Sequence, residues 1–190
     1  MRRGDRFTAL VDACVLGGAL RRNLILSLAE AGLFRLRWSE AILDETERTI
    51  ARITDGKADT ARQRAAITTA FPEAIVLHDR AIERHLALPD PGDVHVLAAA
   101  IGAKADVIVT DNVKDFPTEV LGPWEIEAVT ADAFIADCLD LDGAAGVEAV
   151  RRMRARLQHP ELDADGLIRK MEGQGLVHAA ATLLKYRTLI

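Results

Sequence analysis

The residues in this chain best suited to chemistry are acids placed at the ends of apolar runs. Asp12 closes the short apolar run that begins at Thr8, and Asp111 and Asn112 follow the triplet Val107–Val109 after Thr110. Asp93 falls three positions after Asp90 at the head of a helix-like stretch, and Glu45 lies early in an amphipathic stretch that starts after Ser39. If the fold brings these acids together they repel, by about 1 kcal/mol per pair at ~4 Å in water and about 4 kcal/mol at an effective dielectric of ~20. Three or four in one cleft therefore need protonation or a cation. A donor set of oxygens, without clustered cysteine or histidine, points to Mg²⁺ or Mn²⁺ rather than zinc. Such a site, with several waters retained, suits phosphoryl chemistry.

The same residues also have local explanations. Asp90 stands as a helix N-cap ahead of Pro91, worth roughly 0.5–2 kcal/mol. Asp93 is a dipole-favoured acid in the first turn, worth roughly 0.3–1 kcal/mol. Asp111 and Asn112 are turn formers. The elements that carry them decide between the two accounts.

Val94, Leu97, Ala98 and Ile101 repeat at helical spacing, and the helix ends at Gly102 and the short segment that follows. Val107–Val109 is then a strand of the continuous apolar kind that parallel sheets bury on both faces. Strands are also expected at Thr8–Asp12, Leu33–Trp38, Ala74–Leu77 and Glu125–Val129, the last as an edge. Helices are expected at Leu24–Ala31, Glu40–Ile53, Ala58–Ala70, Arg80–Leu86 and Ala131–Leu139, with a turn or loose helix start around Gly17-Gly18. Strands alternating with helices give a three-layer α/β/α domain with a mainly parallel sheet of about five strands. Ligands bind such sheets at the carboxyl ends of their strands, where Asp12 and Asp111 fall. After Asp140 the strand patterns stop, and helices are expected over 143–158, 163–173 and 176–186. The reading is thus a domain over 1–139 and a helical appendage over 140–190.

Composition narrows the classes. The 190 residues are 49% hydrophobic and 28% charged, as in an ordinary globular protein, and no apolar run approaches a membrane span. Cys14 and Cys138 give neither a disulfide framework nor a metal spacing, and a cytoplasmic protein is expected. A net charge of −5 argues against a protein that merely coats nucleic acid, but not against an enzyme with an acidic site. The excess lies early: residues 141–190 hold eight Lys/Arg against six Asp/Glu, leaving −7 for residues 1–140.

Four segments, Leu10–Leu16, Ser39–Thr46, Asp90–Ala100 and Val107–Pro117, resemble the successive motifs of the PIN-domain family, in order and at similar spacing. The nearest likeness is to VapC-type toxins of bacterial toxin–antitoxin systems, over about residues 8–135. The resemblance implies a Mg²⁺- or Mn²⁺-dependent endoribonuclease that hydrolyses RNA phosphodiester bonds. It also implies a homodimer and an antitoxin protein that offers an arginine to the carboxylates. By position it makes Asp12, Glu45 and Asp93 the acidic metal ligands. The fourth position, in a Thr-x-Asp/Asn motif, falls on Asn112 beside Thr110. Asp111 or Asp115 is then left to supply the missing charge, and Asp90 supports the site.

Other residues carry weaker signals. Arg21 and Arg22 either meet phosphate near the acids or begin a solvated helix. His78, His85, His159 and His178 are scattered, and His95, two residues after Asp93, is expected to point elsewhere on its helix. Cys14 is read as a small buried hydrophobe, the arginines at 151, 152, 154 and 156 as a solvated surface, and Trp38 and Trp124 as packing residues. Two alternatives stand beside the nuclease. One is a degenerate PIN scaffold that binds RNA or protein without cutting, favoured by Asn112. The other is a phosphoryl-accepting domain using Asp12, disfavoured because Ala13-Cys14-Val15 supplies no second acid.

Overall fold

The apolar triplets form the middle of a parallel sheet. In the computed structural model, which describes residues 7–77, 80–157 and 161–190, β1 (Thr8–Val11) and β3 (Val107–Val109) lie side by side with every residue buried. Continuous apolar sequence is what such doubly covered strands require. β2 (Arg35–Arg37) pairs with β1, and β4 (Glu127–Val129) with β3, giving the all-parallel order β2-β1-β3-β4. Both edge strands keep exposed residues. The expected strand at 74–77 is reduced to a single bridge between Ile75 and Trp38. Val76 donates its N–H to Trp38 and Leu77 is already 88% exposed, so the run leaves the sheet after one residue.

Two compact units emerge from the packing. One joins the chain up to Gly18 with Arg35–Thr130. It holds the sheet with α1 (Ala13–Leu16), α3 (Glu40–Ile53), α4 (Thr60–Ala70), α5 (Arg80–Glu83), α6 (Val94–Ala103) and α7 (Thr118–Leu121). The fold is the expected three-layer α/β/α class with a C-terminal helical region. In α3, Ser39 Oγ accepts the Ile42 N–H at 3.3 Å as N-cap, and Ile42, Leu43, Thr46 and Ile50 form its buried face. α4 buries no residue at all. It is held to α3 by Arg64, whose Nη1 bonds Asp44 at 2.6 Å and Glu47 at 2.7 Å while Nη2 bonds Glu40. Those acids sit at i, i+4 and i+7, one stripe of a helix. The short α1 is followed by the expected turn at Gly17-Gly18. A Cβ on Gly17 would lie 2.5 Å from Thr49 Cγ2, so this glycine also makes space between α1 and α3.

The other unit joins Ala19–Phe34 with Ala131–Ile190, so its edge does not coincide with the boundary expected after residue 139. It holds α2 (Ala19–Glu30), α8 (Ala131–Leu141), α9 (Gly143–Arg156), α10 (Ala164–Gly173) and α11 (Val177–Leu184). Leu20, Leu24, Ile25 and Leu28 of α2 are buried in this unit, as are Val147, Val150 and Met153 of α9, and Phe34 meets Phe134 edge-on at 4.8 Å. Asp132 on α8 accepts the N–H groups of His178 and Ala179 and so caps α11. The α9 arginines have partners: Arg151 and Arg152 bond Glu148, Arg156 bonds Glu30, and Arg154 donates to the Leu162 carbonyl. They form a compensated surface. Among the described residues no helix is long and apolar enough to cross a membrane. His78 and His159 lie outside the described residues.

Candidate acidic site

Asp12 is fixed where β1 ends. Its N–H continues the sheet to the Val109 carbonyl at 3.0 Å, and its extended backbone makes it the N-cap of α1, with Oδ1 accepting the Ala13 N–H at 2.6 Å. Oδ2 accepts from Thr110 Oγ1 at 2.8 Å and from Cys14 Sγ at 3.1 Å. The Asp12 residue is only 4% exposed and Thr110 is fully buried. Thr110 in turn accepts the Asn112 N–H at 3.1 Å, and Cys14 Sγ accepts the Asp111 N–H at 3.3 Å. Burial, reinforced by the charge of Asp12, pushes the Cys14 thiol up to about 12, so it stays a proton donor. Cys14 was expected to be a small hydrophobe; it is half-buried and joins the two strand exits.

Asp93 is in the opposite condition. Asp90 Oδ1 accepts the Gly92 N–H at 2.8 Å and caps a single 3-10 turn, Pro91–Asp93, that leads into α6. Asp93 makes no capping bond, and its Oδ2 is buried without a hydrogen-bond partner. Burial, then the charges of Asp12, Asp90 and Asp115, push its carboxyl up to about 6, with His95 acting the other way. The local account of Asp93 as a simple dipole-favoured acid therefore falls short. It is an unsatisfied oxygen in a field of like charge.

Glu45 projects from α3, half-buried, with Oε1 3.2 Å from His95 Nε2 and 3.6 Å from Arg48 Nη2. His95 was expected to point elsewhere because i and i+2 diverge on an α-helix. Asp93, however, sits in the 3-10 turn at ψ −2, before α6 begins at Val94, so helical periodicity does not relate the two residues. The available signal was the proline-capped junction itself.

Of the loop residues, Asp111 and Asn112 are exposed, whereas Asp115 is half-buried in a 3-10 turn, Val113–Asp115, and its charge reaches Asp93. Arg21 and Arg22 lie on α2 in the helical unit. Arg21 Nη2 donates to the Gln174 carbonyl at 2.6 Å, and burial lowers the pKa of Arg22.

Among the described residues, no three His, Cys, Asp or Glu side chains converge closely enough to hold a metal by themselves. The donor chemistry nevertheless fits a hard cation. The unpartnered Asp93 oxygen, set among Asp12, Asp90 and Asp115, would be relieved by positive charge. A site with few protein oxygens and several waters is the habit of Mg²⁺.

A parallel α/β domain with a carboxylate site at the carboxyl edge of its central strands is the class that this geometry defines. Residues 8–114 match the family model described as PIN domain, and the chain belongs to that family. Residues 131–185, which open at the first residue of α8, match a second model, the VapC50 C-terminal domain. A Mycobacterium tuberculosis protein described as "Putative ribonuclease VapC50" is 53% identical over 49 residues. That match covers 26% of this chain and 29% of the relative's length. No solved structure matches the chain.

Proposed function

We propose that this PIN-domain chain is a Mg²⁺- or Mn²⁺-dependent endoribonuclease, the toxin of a type II toxin–antitoxin pair. The observation that carries the reading is the buried, unpartnered Asp93 oxygen facing the charges of Asp12, Asp90 and Asp115 within the domain that defines the family. The ribonuclease relative supports the activity class.

Asp12 and Asp93 would hold the cation, with Glu45 reaching it through water, Asp115 and Asp111 as the loop acids able to add charge, and Asn112 and Thr110 beside them. When bound, the metal supplies Lewis acidity and neutralises charge on a phosphodiester. Asp12 arrives with three of its roughly four lone-pair sites already used by Ala13, Thr110 and Cys14, which fixes the direction of what remains. Thr110 and Cys14 hold that carboxylate and donate no proton to the reaction. Glu45 orients a water for in-line attack, and Asn112 and Asp90 shape the edge of the site. The substrate is RNA. An antitoxin protein restrains the enzyme by offering an arginine to the acids, and the active form is a cytoplasmic homodimer.

The test is cleavage of a mixed RNA pool by antitoxin-free protein with Mg²⁺, Mn²⁺ or EDTA, beside Asp93→Asn. Metal-dependent cutting that disappears in the variant supports the nuclease. Folded protein that binds RNA but cuts under no metal would support the degenerate scaffold instead.

A further inference from the structure

We propose that His95 is a positioning residue for this site: it tethers the Glu45 carboxylate of α3 to the start of α6, beside Asp93. The inference rests on the proposed metal reading and extends it to a residue outside the acidic set. The Nε2–Oε1 distance is 3.2 Å, and the His95 side chain is only 17% exposed. Among the described residues the other charged partner of Glu45, Arg48, lies 3.6 Å away on the same helix and cannot tie α3 to another element. His95 is therefore what sets Glu45 relative to Asp93.

A histidine kept for core stability would have both ring nitrogens satisfied. Here Nδ1 is buried with no partner, so the bond to Glu45 is what orients the ring. Leaving a buried polar atom unsatisfied is destabilising, a poor choice for stability alone. Outer partners that orient ligating carboxylates change metal affinity by about 10–100-fold when removed. The ring also lines an open pocket of about 600 Å³ with Leu86, Gly92 and Val94. Shortening it opens space to solvent and leaves no sealed cavity, so His95→Ala retains the fold.

The experiment is a Mn²⁺ titration of the metal-free protein, read from the free-ion paramagnetic resonance signal, with thermal midpoints taken in EDTA. Wild type, Asp93→Asn, Glu45→Gln, His95→Ala, His95→Gln and the His95→Ala/Glu45→Gln double variant are compared. We expect His95→Ala and Glu45→Gln each to weaken Mn²⁺ binding about tenfold, and the double variant to bind no more weakly than either single one. His95→Gln, whose side-chain amide can donate to Glu45, returns to within about threefold of wild type. The EDTA midpoint of His95→Ala stays close to that of wild type. Wild-type Mn²⁺ affinity in His95→Ala, or additive losses in the double variant, would overturn the tether while leaving the metal reading intact. Wild-type protein that takes up no Mn²⁺, or Asp93→Asn that binds as tightly as wild type, would remove the metal reading and the tether with it.

Discussion

Replacing Asp93 with asparagine removes a charge that the fold resists and keeps the side chain's shape. Burial and the neighbouring acids move this carboxyl from its ordinary 3.8 to about 6. Two units correspond to about 3 kcal/mol for a fully shielded group at ~1.36 kcal/mol per unit. Asp93 is half-buried, and solvent screening reduces the figure to about 1 kcal/mol. The sign follows from proton binding. The native state holds the proton more tightly than the unfolded chain, so the handicap is absent below about pH 4, develops as pH rises to about 6, and is constant above. In EDTA at pH 7.5, Asp93→Asn should therefore melt about 2–4 °C above wild type, and the gap should close by pH 4. Divalent metal reverses the order: at ~100 times its dissociation constant the cation adds about 2.7 kcal/mol to wild type and little to the variant. A variant that melts below wild type in EDTA at pH 7.5, or that shows the same pH profile, would refute the electrostatic account of the site.

Thr110→Val keeps the shape of a fully buried residue but removes the donor to Asp12 and the acceptor for the Asn112 N–H. Chemical denaturation should show a loss of about 1–3 kcal/mol. Gly17→Ala should cost about 1–3 kcal/mol through its clash with Thr49, and Thr49→Ser in the same chain should recover most of it; no recovery would point to the backbone instead. Arg64→Ala releases three carboxylates of α3 from a helix that buries no residue of its own, so amide exchange over Thr60–Ala70 should rise about tenfold, about 1.4 kcal/mol of local opening. At Asp132 burial opposes ionisation, but the amides of Ala179 and His178 and the His178 ring hold its pKa below the usual carboxylate range. Its contribution is present above pH ~4 and lost as pH falls through the lowered folded value. Asp132→Ala should cost about 1 kcal/mol at neutral pH and flatten the acid dependence of α11 exchange.

What the sequence revealed depended on how local the cause was. The Ser39 cap and apolar stripe locate α3 at Glu40–Ile53, and the two apolar triplets mark the central strands, because capping and burial act within a few residues. Gly17 marks the turn that was expected, but its second reason, space for Thr49 on another helix 32 positions away, was not legible. α2 follows β1 in sequence and was assigned to the sheet domain. Its buried stripe shows that it packs, but not that it packs with α9. At the exit of β3 the sequence offered several polar residues without ranking them. Thr110 donates to Asp12, Asp111 is exposed, and the loop acid whose charge reaches Asp93 is Asp115, one 3-10 turn later.

Asp12 and Asp93 differ in how the fold holds them. Asp12 is held by three hydrogen bonds at the junction of β1 and β3, where sheet burial makes movement costly. Asp93 carries the electrostatic strain, and it stands on a 3-10 turn in the short connection before α6. Rigidity is thus placed on Asp12 and electrostatic strain on Asp93, outside the sheet. Positive charge at Asp93 would relieve that strain without disturbing the sheet, and would draw the head of α6 towards the end of β1. A cation bound there would be both charge partner and structural tie, so stability in EDTA and metal affinity should change in opposite directions at position 93.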